Sequence, residues 1–104
     1  MISQNLTDEL KRKCYITDNN ELTLKRFDDT IKDSLTKVKR LIGLENADFN
    51  FETKGNEEEL ELFKNYVWYA WNDSSNEFKD NYLDDINSLH HKWEVKQYAE
   101  KENI

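Results

Sequence analysis

Two histidines, one cysteine and a scatter of carboxylates are the side chains of this sequence that could do chemistry. His90 and Glu94 stand four residues apart, a spacing that puts both on one helix face as two potential metal ligands. A zinc site needs three or four converging ligands, and no HExxH, CxxC or Cys/His cluster supplies the others. Asp80, Asp84 and Asp85 crowd together, as acids on a solvated helix face routinely do. No serine sits in a glycine-rich elbow, and two glycines are too few for a phosphate-cradling loop. Cys14 has no second thiol to pair with and reads as a small buried apolar residue. The expectation is no catalytic residue, no metal and no cofactor: not an enzyme.

The bulk properties narrow the remaining classes. The net charge of −7 disfavours a nucleic-acid grip, whose affinity comes mainly from Lys and Arg neutralising phosphates. The compact basic cluster near the centre, Lys37, Lys39 and Arg40, contains no aromatic residue on which a base could stack. No apolar run approaches the ~18 residues of a membrane span, and residues 1–13 are too polar for a signal peptide. One cysteine excludes an intramolecular disulfide framework and suits a reducing compartment. At 104 residues the chain is expected to be one domain. Its aromatic content of 12% argues against disorder, and the absence of proline favours helices.

Those helices are legible from apolar spacing. Residues 6–15 predict a short first helix with Thr7 as cap, Asp8 and Glu9 in the first turn, and Lys11, Arg12 and Lys13 in the last. After the polar turn at 17–20, residues 22–42 carry Leu24, Phe27, Ile31, Leu35, Val38 and Ile42 in one stripe about 30 Å long. Asp28 with Lys32 and Asp33 with Lys37 are favourable pairs on the opposite face, and Gly43 is the natural stop. Residues 44–56 form an extended loop or short strand, in which Phe49 and Phe51 alternate with polar residues. Their partner is either this subunit's core or a neighbouring subunit.

Asn56 with Glu59 predicts a capping box opening the most apolar stretch, LELFKNYVWYAW at 60–71. Leu60, Phe63, Val67, Ala70 and Trp71 make one stripe, and Leu62, Tyr66 and Tyr69 a second beside it. Ser74 with Glu77 predicts a second capping box, before a closing helix striped by Phe78, Tyr82, Ile86, Leu89 and Trp93. From about residue 96 the tail is expected to fray. The fold expected is all-α, a bundle of about four helices. Its core is expected to hold Leu24, Phe27, Ile31, Leu35, Val38, Leu60, Phe63, Val67, Ala70, Tyr82, Ile86 and Leu89.

The surplus of Trp and Tyr exceeds what a bundle this small can cover, and these residue types are enriched at interfaces. Candidate contact residues are Phe49, Phe51, Tyr66, Trp68, Tyr69, Trp93 and Tyr98.

The order of parts, with KNYVWYAWND at the aromatic-then-acidic junction and EFKDNYLDDINSLHHKWEV closing it, resembles the head–tail connector (adaptor) proteins of tailed bacteriophages. The likeness covers roughly residues 6–96. It implies a structural virion protein, made in the host cytoplasm, that forms a homo-oligomeric ring of about a dozen subunits. The ring would bind the portal protein, extend the DNA channel and seat a stopper or tail-completion protein, with no membrane involved. Residues 47–53 and 93–104 are the contact regions the likeness suggests. The competing expectation is a small acidic helical inhibitor or regulator that engages a basic partner, motivated by Glu57, Glu58, Glu59 and Glu61.

Overall fold

The computed structural model describes residues 2–17, 19–44 and 48–102, with side chains to residue 99. Parts of the polar turn (Asp18), the central loop (45–47) and the tail (103–104) therefore lie outside the described residues. Five helices follow one another: α1 (Gln4–Lys13), α2 (Glu21–Leu41), α3 (Glu57–Trp71), α4 (Ser75–Asn81) and α5 (Leu83–Glu102). The fold is all-α; no strand forms among the described residues, and 48–56 is a run of turns.

The helix ends show how local chemistry sets the boundaries. Ser3, not Thr7, caps α1: its Oγ accepts from the Leu6 amide at 3.2 Å, while Thr7 sits in the first turn and donates back to the Ser3 carbonyl at 3.0 Å. Asp8 and Glu9 accordingly fall in the second turn. Asn20 caps α2 by accepting from the Leu22 and Thr23 amides.

Three helices then end alike. Tyr15 (φ 57°), Gly43 (φ 81°) and Asp73 (φ 57°) each enter the left-handed region just past a helix. The following amide bonds back to Lys11, Lys39 and Tyr69 respectively, closing a Schellman motif. Gly43 does this without strain, whereas Tyr15 bears a left-handed penalty of about 1–2 kcal/mol.

α3 is the element the others enclose, packing on α1, α2 and α4. From α2 it meets Phe27, Ile31 and Val38, all buried as expected; Leu24 and Leu35 are only half-buried. Ser34 is fully buried in the same stripe, its hydroxyl satisfied by the Thr30 carbonyl at 2.7 Å. The outer face carries the ion pairs Asp28 with Lys32 (3.0 Å) and Asp33 with Lys37 (3.1 Å). α1 contributes Leu6, Leu10 and, just past its end, Cys14, whose burial raises its thiol pKa to about 11 despite the pull of Lys13.

The buried face of α3 corrects the sequence expectation. Leu62, Phe63, Tyr66 and Val67 are buried together with Glu59, while Leu60 and Ala70 are half-buried. The second stripe is therefore core as much as the first, because helices cover α3 on both sides. The closing helix is also not continuous: it breaks at Tyr82, which separates α4 from α5. Phe78, Ile86 and Leu89 remain buried across that break, and Tyr82 is half-buried.

Candidate functional site

The structure divides the expected contact residues into two groups. Phe51 and Tyr66 are core, each no more than 5% exposed. Phe51 stacks on Phe63 with ring centroids 5.0 Å apart, and Tyr66 meets Phe78 edge-on at 4.9 Å. Phe49 is half-buried against Phe51 and Trp93, at 4.9 and 5.2 Å. The loop thus turns inward onto its own subunit. Its outer end is tied down as well, since Glu52 accepts from the Ser3 amide at 2.8 Å and from the Ser3 hydroxyl.

Trp68, Tyr69, Trp93 and Tyr98 retain surface. Tyr69 is half-buried beside Phe78 and Tyr82, and its hydroxyl accepts from Asn81 at 3.1 Å. Trp68 packs edge-on against Tyr69 and is 38% exposed. Trp71, half-buried, meets Phe27 in a perpendicular contact at 5.3 Å, and the guanidinium of Arg26 lies 4.2 Å from its ring.

Trp93 belongs to a feature that local spacing concealed. Glu59 does not close a capping box; Asn56 makes no side-chain cap bond, and neither does Ser74. The Glu59 carboxylate is instead fully buried, with Oε2 accepting from Lys92 Nζ at 2.8 Å and Trp93 Nε1 at 2.7 Å. Oε1 is buried with no hydrogen-bond partner among the described residues. This charge-assisted latch fixes the middle of α5 onto the first turn of α3.

Burial pushes the Glu59 carboxyl up, but hydrogen bonds led by that of Lys92, with its charge, outweigh burial and hold the pKa below the ordinary value. A depressed folded pKa stabilises the fold above the unfolded value of about 4.3 and is lost as pH falls through the lower folded value. Thermal melts across roughly pH 3 to 7 should show wild type losing its advantage over Glu59→Gln at the acid end. A difference that stays constant with pH would mean that the latch does not titrate.

Beyond Trp93, α5 runs on uncovered. Residues 94–99 are all exposed, including Val95 (52%) and Tyr98 (67%), which lie three apart on one helix face. Among the described residues, Gln97 ties this arm back by donating to the Gly43 carbonyl at 3.5 Å. The molecule measures 51 × 28 × 19 Å, and its radius of gyration of 14.8 Å exceeds the roughly 13 Å of a compact chain this long. The tail expected to fray is helical as far as Glu102.

Among the described residues, no group of three His, Cys, Asp or Glu side chains could hold a metal. His90 and Glu94 do meet, at 3.6 Å, as an exposed pair. No described helix is long and apolar enough to cross a membrane. Comparison with known protein families, curated proteins and solved structures found no match for this chain.

Proposed function

We propose that this chain is a structural assembly subunit, a head–tail connector of a tailed bacteriophage. About a dozen copies form a ring beneath the portal, extend the DNA channel and present a platform to a stopper or tail-completion protein. The observation that carries this reading is the bare arm of α5. A helix normally draws most of its stability from packing an apolar face, and this one leaves Val95 52% and Tyr98 67% exposed. The surface that remains for assembly is thus the arm with Trp68, rather than the inward-turned loop. The charge of −7 agrees with the role, because an acidic channel wall repels phosphates and lets DNA slide.

Native mass measurement of the subunit alone and mixed with portal rings tests the proposal. Wild type should load the portal with a discrete complement of subunits. Val95→Asp combined with Tyr98→Asp should abolish loading with stability changed by no more than about 0.5 kcal/mol per site, since both side chains are exposed. No loading by wild type would sink the connector reading, and normal loading by the variant would remove the arm from the contact.

One groove favours the regulator reading as an alternative. Between α3 and α5, a cavity of about 390 Å3 has Leu62, Leu89 and Tyr82 at its base and Glu58, Glu61 and Asp85 at its rim. A basic partner seated there should dissociate as salt rises, whereas a ring held by aromatic contacts should be far less sensitive.

A further inference from the structure

Helix ends account for each basic residue near the end of α2 taken singly, yet the fold brings these residues together with others from a distant element. Lys37 and Arg40 of α2 share a concavity of about 290 Å3 with Lys79 of α4, and none of the described residues lining it is acidic. Leu41 supplies apolar wall, and Tyr66 and Ser75 bring hydroxyl groups.

We infer that this concavity binds an organic carboxylate, a carboxyl group carried on a small apolar body. The charge is the first reason. In a chain of net charge −7, three cations from two helices face one small volume, and Asp33, which pairs with Lys37 at 3.1 Å, stands outside its lining. Carboxylates take strong charge-assisted hydrogen bonds from such groups.

Tyr66 is the second reason. Its side chain is almost wholly buried and lies in hydrogen-bonding reach of Ser75. Its hydroxyl, like that of any tyrosine at neutral pH, is a phenol able to donate to an anion, and burial with the nearby charge of Asp33 raises its pKa further against the pull of Lys37 and Ser75.

The shape and lining select among anions. The volume stands at the lower edge of the roughly 300–1,000 Å3 typical of small-molecule sites. With the rings of Tyr66 and Phe78 buried, neither offers a face for a nucleobase to stack on. Inorganic phosphate has no apolar portion to set against Leu41. The carboxyl group could arrive on a free acid or at the C-terminus of a peptide.

Amide chemical shifts of the full chain, titrated in parallel with benzoate, inorganic phosphate and a short peptide ending in phenylalanine, test this. Benzoate should shift the amides of Arg40, Ser75, Asn76 and Lys79 saturably, and phosphate should not. Arg40→Gln and Lys79→Gln should each weaken binding roughly tenfold, the loss expected for one charge-assisted bond. Peptide binding that vanishes on C-terminal amidation, at the same amides, identifies a peptide source; benzoate binding without peptide binding identifies a free acid. Equal shifts with phosphate and benzoate, or unchanged affinity in both variants, would overturn the assignment.

Discussion

A Val67→Asp subunit will not fold: its far-UV circular dichroism will lack the native helical signature, and no cooperative melt will be seen. Val67 is fully buried in α3, on the same helix face as buried Phe63 and enclosed by the surrounding helices. Among the described residues, side-chain donors in the core are already committed, Ser34 to the Thr30 carbonyl and Lys92 and Trp93 to Glu59. Burying an unpaired carboxylate costs several kcal/mol even after water penetration and relaxation. Total stability of a domain this small lies near the lower end of about 5–15 kcal/mol, so one such term removes most of it. A cooperative, native-like melt from this variant would place the buried face of α3 elsewhere.

Phe51→Ser is the second large effect, and it follows from the loop's turning onto its own subunit's core. Loss of the Phe51 ring leaves a hole between Phe63 and Phe49, for which truncation of a buried aromatic costs about 3–5 kcal/mol. The serine hydroxyl adds a polar group to a site that was 2% exposed. Phe49→Ser, at a half-buried position, should cost distinctly less. Denaturant midpoints of the two single variants separate them. Equal midpoints near wild type would return both side chains to the surface.

What could be read in the sequence, and what could not, follows from the range of the interactions concerned. α2 was legible because its buried residues repeat along one element and its stop, Gly43, is local. The all-helical class was legible for the same reason. The buried face of α3 was not, since a helix apolar nearly all round has no preferred direction until its neighbours are placed. Tyr66 was therefore expected outside and is found inside. The break at Tyr82 was hidden because the stripe of Phe78, Tyr82 and Ile86 runs through it with unbroken spacing. Glu59 stands where a capping box would put it, yet its carboxylate serves Lys92, thirty-three positions away, and no local pattern reports that. The alternation around Phe49 and Phe51 resembles a strand, but the described chain has no second strand to pair with it. The meeting of Lys37 and Arg40 with Lys79 likewise exists only once α2 and α4 are packed.

The position of α3 in the chain bears on how the protein is made. Both α1 and α2 pack on a helix that begins only at Glu57, so a ribosome delivers two apolar stripes before the surface that covers them exists. Until Trp71 has emerged, Leu6, Leu10, Phe27, Ile31 and Val38 have no lasting cover, and the last clasp, Lys92 onto Glu59, comes later still. Dense charge on the outer faces, with 36% of residues ionic, keeps the waiting segment in solution. Folding is thus a late event of synthesis, timed by the arrival of α3.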